Sequence, residues 1–316
     1  MSGAGAIRLE DLDDCEAWLP AGEIKFVFTE PGPFDARVTW AKLPNALILD
    51  VTEDLARIAY LALPPDSVFV SFAKGRGKEI IWNGRHIPFG QFLYHAPGER
   101  FHQRVPAVSH WGVVAVASEF LASFGSAFAG EGLVPPRTTQ VLRPDLKLST
   151  HLLRFHSRIA RLSKTRPASL GSHELARSIE HELLLALVPC LVDVSGQSPA
   201  TVPGQAVMRR FEDLISDPQN WPVSMSELQA KLRVSTEDLR SYCSGFLGVS
   251  AGRYILLRRL RLLRKRLLQT GSAPGDISEL AKEFGFADLA RFSEDYYDAF
   301  GESPVESQMR PRRFGA

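Results

Sequence analysis

The hydrophobic period of this chain changes once, and that change sets its fold class. In the first part apolar residues alternate: Ile24, Phe26 and Phe28; Val38 and Trp40; Leu47, Leu49 and Val51; Val68, Val70 and Phe72. A period of two sends alternate side chains to one buried face, the mark of half-buried strands. Pro31-Gly32-Pro33, Pro64-Pro65-Asp66 and Asn83-Gly84 punctuate them. Asn-Gly between Trp82 and Ile87 signals a hairpin, because a tight turn needs positive φ at its central residues. Trp111, Val113 and Ala115 predict a last strand. Several short strands with frequent turns read as a small barrel or sandwich.

From Leu148 the spacing becomes three and four: Leu148, Leu152, Phe155, Ile159 and Leu162, then Leu175, Ile179, Leu183 and Leu187. The breaker region 165–172 separates the stripes and makes them a helical hairpin. Such stripes need cover, either from the β-rich domain or from a second copy of the chain as a dimer interface. Residues 195–204, rich in Ser, Pro and Gly, have linker composition. The predicted organisation is a β-domain with a helical hairpin over 1–195, a linker over 196–204 and a helical domain over 205–316.

The 316 residues, 45% hydrophobic, suffice for two domains with their own cores. A net charge of +1 announces no nucleic-acid binder globally, so such a role must rest on local clusters. Cys15, Cys190 and Cys243 are too scattered for a metal site or a disulfide framework, which fits a reducing cytosol. No apolar stretch follows a basic start at the N-terminus, and the run from Leu183 to Val192 falls far short of the roughly 20 residues that span a bilayer. The expectation is a cytoplasmic protein without membrane contact.

The helical domain contains a weak repeat. "SELQAKLRVSTEDL" from Ser226 and "SELAKEFGFADLARF" from Ser278 each open a short helix, turn, and enter a second helix that ends in glycine, Gly248 or Gly301. Two helix–turn–helix units are the economical reading. The succession "SELQAKLRVS", "FLGVSAGRYI", an arginine-rich helix, "ISELAKEFGF" and "RFSEDYYDAFGESPVE" resembles the AraC/XylS family of bacterial transcription regulators. The closing Phe292, Tyr296, Phe300-Gly301 and Ser303-Pro304 carry most of that resemblance. It covers about a third of the chain.

The resemblance implies an α+β protein. An N-terminal jelly-roll-like β-barrel that senses a small molecule or dimerises would precede an all-α domain of seven helices. There a long central helix joins two units whose third and sixth helices enter the major groove. The implied partners are promoter DNA, a second copy of the chain, RNA polymerase if the protein is an activator, and a small-molecule effector.

The apolar face formed by Leu289, Phe292, Tyr296 and Phe300 leaves Arg291, Glu294, Asp295 and Asp298 outside. In the first unit Leu239, Cys243 and Leu247 point in, and Glu237, Arg240, Ser241 and Ser244 point out. Glu237, Arg240, Ser241 and Ser244 of the first unit and Arg291, Glu294 and Asp295 of the second are the candidate base readers. Affinity is expected from phosphate contacts on the central helix, with Arg258 and Arg261 as candidates among Arg253, Arg259, Arg264, Lys265 and Arg266. Arg310, Arg312 and Arg313 add a basic tail. Carboxylates on a reading helix can accept from cytosine N4. Two departures from the family pattern stand out: Arg233 where a turn glycine is common, and Cys243 at a phenylalanine position.

Trp40, Phe72, Trp82, His95 and Trp111 are the candidate lining of an effector pocket inside the β-domain. His86, His95, His102 and His110 contain no His-x-His pair, so no metal or cofactor is expected. No phosphate loop or nucleophile–base arrangement is visible, and an enzyme is not expected. The alternative function is a degenerate helix–turn–helix protein that acts through protein–protein contacts or mixed dimers.

Overall fold

The computed structural model describes residues 3–10, 23–32, 34–75, 80–105, 108–129, 133–193, 198–200, 202–217, 221, 224–270 and 277–309. The N-terminal part forms two sheets with antiparallel pairing throughout. One sheet runs, in spatial order, β1 (Ala4–Leu9), β3 (Ala36–Lys42), β4 (Ala46–Glu53), β11 (Ser109–Ala117), β6 (Ser67–Ala73), β9 (Phe92–His95), β12 (Gln140–Leu142), β13 (Ser198–Pro199). The other runs β2 (Glu23–Phe28), β5 (Arg57–Ala62), β10 (Arg100–Val105), β7 (Ile80–Trp82), β8 (Arg85–Ile87). They share a core that includes Phe26, Leu49, Leu61, Trp82, Phe101 and Trp111. Among the described residues, hydrogen bonding does not close the two sheets into one barrel. Asn83 and Gly84 take φ of 46° and 81°, forming the expected tight turn between β7 and β8.

One strand expectation changes, and one strand was not anticipated. The strand through Trp111 is not the last, because β12 and β13 follow it in sequence. Strand β5 carries no alternation, since Arg57–Leu61 are buried throughout. Its Ala59 and Leu61 face the core between the sheets, and Ile58 faces the helical domain. A strand covered on both faces loses the period that would reveal it.

Helix α1 (Ser118–Ala129) leads to the predicted hairpin, α2 (Leu146–Thr165) and α3 (His173–Val192), joined by a 3-10 turn over Pro167–Gly171. Asp145 caps α2 by accepting from the Lys147 N–H. The hairpin lays Leu152, Phe155, Ile159, Leu183 and Leu187 on Val68, Val70, Phe72 and Val114 of the eight-stranded sheet. It therefore packs on the β-domain, the first of its two expected covers. The linker-like stretch lies only partly within the described residues. There Ser198 and Pro199 pair with Val141 and Gln140, and the Ala200 N–H donates to the Thr139 carbonyl, so this segment is pinned to a sheet edge.

Seven helices follow among the described residues: α4 (Gln205–Ser216), α5 (Met225–Leu232), α6 (Thr236–Leu247), α7 (Ala251–Thr270), α8 (Ile277–Glu283), α9 (Leu289–Phe300) and α10 (Pro304–Met309). They share one core, built on Phe211, Leu228, Leu239, Tyr254, Leu260, Leu263, Phe292 and Tyr296, to which Val27 and Ile58 of the five-stranded sheet also belong. Among the described residues no helix is long and apolar enough to cross a membrane.

Candidate nucleic-acid interface

Each helix–turn–helix unit is shaped by its caps. In the first, Ser224 Oγ accepts from the Glu227 N–H while the Glu227 carboxylate accepts from the Ser224 N–H, closing a capping box at α5. Arg233 ends α5 in the left-handed region, φ 57° and ψ 50°. This is the turn conformation that glycine adopts without cost, so arginine here carries about 1 kcal/mol of backbone strain. Ser235 caps α6 through the Asp238 N–H, and Gly248 closes it at φ 71°. In the second unit Asp288 accepts from the Ala290 and Arg291 N–H groups, and Gly301 closes α9 at φ 67°.

On α6, Glu237, Arg240, Ser241 and Ser244 are all exposed, opposite buried Leu239, Cys243 and Leu247. Cys243 is core, and burial pushes its thiol up to about 12, which leaves no reactive thiolate at neutral pH. On α9, Arg291, Glu294 and Asp298 are exposed. Asp295 is half-buried and lies 3.9 Å from the Arg291 guanidinium one turn back, so part of the acidic character of this face is neutralised within it. The face also presents Tyr297, 60% exposed, which the sequence pattern misses because it adjoins the core Tyr296. The three-residue step from Glu294 would have placed it outside.

The central helix departs from expectation. Arg258 and Arg261, read as phosphate contacts, are only 6% and 5% exposed. Arg258 acts electrostatically on buried Glu212 of α4. Arg264 is also buried and pairs with Glu302 at 3.0 Å, in a chain that continues through Ser307 to the Tyr296 hydroxyl. Arg259 donates to the Phe284 carbonyl at 2.8 and 2.6 Å and lies over the Phe286 ring. The reason is geometric. Helix α7 is the spine of both units and also packs on β2, so little of its circumference faces solvent. Its cations tie it to α4 and to the second unit. Arg266 is exposed, and Arg253 and Lys265 are half-buried. Arg310, Arg312 and Arg313 lie outside the described residues.

The candidate effector pocket is filled. Between the sheets, the void lined by Ser71, Ala73, Trp82, Leu93, Gln103 and Trp111 measures about 10 Å³, room for about one water. Arg57 occupies part of the interior, pairing with Glu53 at 2.5 and 2.8 Å and donating to Gln103, while Trp111 Nε1 donates to Glu53 at 2.6 Å. Phe72 also lines this void and joins the cluster under the hairpin, Trp40 is half-buried, and Trp82 packs at the centre beside His95. His95 Nδ1 donates to Glu99 and its Nε2 is hydrogen-bonded to the Ser71 hydroxyl, each at 2.8 Å. This is a hydroxyl–imidazole–carboxylate chain that the sequence did not reveal, and the adjoining void has no space for a substrate. A groove of about 720 Å³ opens instead on the outer side of α2, lined by Lys74, Phe89, Leu146, Leu153, Arg154 and Arg161 among others. Among the described residues no group of three or more His, Cys, Asp or Glu is gathered for a metal ion.

Two capped helical units on a shared central helix, each with an exposed polar face on its second helix, define a double helix–turn–helix protein. Residues 228–310 match the profile of a family described as a helix-turn-helix domain. The probable thc operon regulatory protein of Rhodococcus erythropolis is 28% identical over 100 residues, 32% of this chain and 30% of that protein. XylDLEGF operon transcriptional activator 3 of Pseudomonas putida is 28% identical over 101 residues, with the same two shares. The AraC-like transcriptional activator CuxR, in a crystal structure, aligns over 88% of this chain and 100% of its own at 18% identity and a TM-score of 0.43. The matched segment thus spans about 30% of the length of the curated relatives. Residues 228–310 thus match a helix-turn-helix domain and are similar to the corresponding part of these operon regulators.

Proposed function

We propose that the chain is a sequence-specific DNA-binding transcription regulator, cytoplasmic and not an enzyme, with its domain boundary in the segment 196–204. The observation that carries this reading is the pair of exposed outward faces on α6 and α9, held by caps at both ends of each helix. Arg240, Ser241 and Ser244 offer donors and acceptors to one stretch of major groove, and Arg291, Glu294 and Tyr297 to the next. Phosphate contact falls to exposed cations outside the buried seam of α7, such as Lys231, Arg233, Arg266 and Lys282.

The named relatives regulate or activate operons, which supports promoter DNA as the target and RNA polymerase as a further partner if this chain activates. A second copy is the partner read for the hairpin, where Leu146, Leu175, Leu185 and Val192 are exposed. An effector, if one acts, fits the open groove along α2 better than the filled interior. The acids Glu237, Glu294 and Asp298, which outnumber the exposed arginines on the two reading faces, favour the alternative that the second unit contacts protein, in mixed dimers for instance.

The test is equilibrium binding of the full chain to its own upstream region and to a scrambled duplex across a salt series. With few exposed cations near the reading faces among the described residues, the slope of log K against log salt should be shallow, about −2.7 to −4.5 for three to five phosphates. Equal affinity for both duplexes, or none at low salt, sinks the reading.

A further inference from the structure

The outer face of the five-stranded sheet is fastened to the first helix–turn–helix unit by a buried polar network. Side chains that point away from the sheet core supply it. His102 of β10 stands opposite Tyr60 of β5, which in turn stands opposite Lys25 of β2, and one step along lie Arg104, Ile58 and Val27. His102 Nε2 donates at 2.9 Å to Oε1 of Glu212 on α4, and the Tyr254 hydroxyl of α7 donates to the same oxygen at 2.5 Å. All three residues are essentially inaccessible to solvent. The His102 ring lies against Tyr60 at 4.9 Å and edge-on to Phe246 of α6 at 6.0 Å. The Asn83 side-chain carbonyl accepts from the His102 N–H at 2.9 Å, which ties this strand to the hairpin turn. That turn touches α6 itself: a Cβ on Gly84 would lie 3.1 Å from the backbone carbon and oxygen of Gly245. Lys25 donates to Ser216 at 2.8 Å, and Arg100 pairs with Asp213.

The contact is selective within the domain. It engages α4, the C-terminal end of α6 and α7, and it leaves exposed Glu237, Arg240, Ser241 and Ser244. A reading helix presents its N-terminal residues to the base edges, so a sheet held at the far end of α6 orients that helix without covering its reading face. The bond from His102 to Glu212 is also costly to leave unmade, because a buried carboxylate that loses a donor is not rehydrated.

We infer that His102 is a positioning residue for DNA recognition: through Glu212 and Tyr254 it fixes the first reading helix relative to the five-stranded sheet. This rests on the proposed DNA-binding function. The network defines one docked orientation, in which α6 meets its groove with its angle already set. Undocked, the first unit keeps its exposed polar groups but loses that angle, so contact with phosphates survives better than discrimination between bases.

The experiment uses the full chain and two variants that disturb the docking by different routes. His102→Phe keeps a ring between Tyr60 and Phe246 and removes the donor to Glu212. Gly84→Ala inserts a methyl group between the turn and Gly245, and at φ 81° it also strains the turn that presents His102. His102→Gln restores an amide donor and serves as the rescue. Thermal unfolding first confirms that each is folded. Affinities are then compared on the duplex that the wild type selects from a random pool and on its scrambled version. The inference expects His102→Phe and Gly84→Ala to lose the ratio of the two affinities by about tenfold, a usual size for coupling between separate sites. Affinity for the scrambled duplex should hold, and His102→Gln should recover the ratio.

Spin labels at Arg37→Cys and Ser226→Cys, in a Cys15→Ser background, report the docking without DNA. One narrow distance is expected in the wild type and a broad distribution in the two disturbed variants. An unchanged ratio in both folded variants, or a narrow distance retained in both, overturns the inference. A wild type that selects no duplex defeats the DNA-binding reading instead, and the label distances still decide whether the network fastens the domain.

Discussion

At the residue scale, buried ionisable groups make the fold sensitive to acid. His156 of α2 donates its Nε2 proton to the Leu49 carbonyl beneath the hairpin. Burial, reinforced by the nearby Lys74, holds its pKa down at about 3, against 6.5 for an unperturbed imidazole. Between those values the unfolded chain takes up a proton that the folded chain refuses. This contribution to stability is therefore complete above about pH 6.5 and is lost as pH falls toward 3. Glu212 acts lower on the scale. Burial works to raise its carboxyl, but the His102 hydrogen bond, Arg258 and Tyr254 outweigh it and bring the pKa to about 2 from 4.5. Its contribution is present above about 4.5 and is lost as pH falls toward 2. The urea midpoint of the full chain should decline from below pH 6.5, before most carboxylates titrate. A midpoint constant from pH 7 to pH 5 would contradict the buried neutral His156.

At the element scale, the turn between α5 and α6 is the strained point of the first unit. Arg233→Gly removes a left-handed arginine, and the full chain should gain about 1 kcal/mol, less the entropy that glycine adds to the unfolded state. Thermal or urea unfolding measures it directly, and a loss of stability would show that the Arg233 side chain contributes more than its backbone costs. This scale also shows how far the sequence could be read. Phe292, Tyr296, Phe300-Gly301 and the Ser-Glu-Leu openings announced the second unit because caps and helical period are local. The Asn83-Gly84 turn was legible for the same reason. Strand β5 was not, because cover on both faces erases its period. Arg258 and Arg261 were misplaced because a helical wheel gives direction but not how many neighbours surround the helix. The filled β interior was equally hidden: nothing local says that Glu53 and Arg57 turn inward as a pair.

At the scale of the whole molecule, the sheets stand between two helical layers with different roles. The hairpin covers the outer face of the eight-stranded sheet, and the helix–turn–helix domain covers the outer face of the other. A dimer formed through the hairpin would hold its two reading domains on the far sides of the β-layers, away from the contact between copies. Leu146, 78% exposed at the start of α2, and Leu185 on α3 are the apolar residues this reading puts in that contact. Replacing both with Asp should shift the full chain from dimer to monomer in sedimentation equilibrium while its circular dichroism spectrum stays that of the folded wild type. A dimer that survives the double substitution would move the interface elsewhere.

The central claim is that the outward faces of α6 and α9 choose the bases. Selection from a pool of random duplexes, run in parallel with the wild type and with Glu294→Ala, tests it most directly. The account predicts that the wild type enriches two blocks about one helical turn apart, roughly 10 base pairs. Glu294→Ala should change one block and leave the other intact. No enrichment by the wild type, or the same two blocks from both proteins, would contradict it.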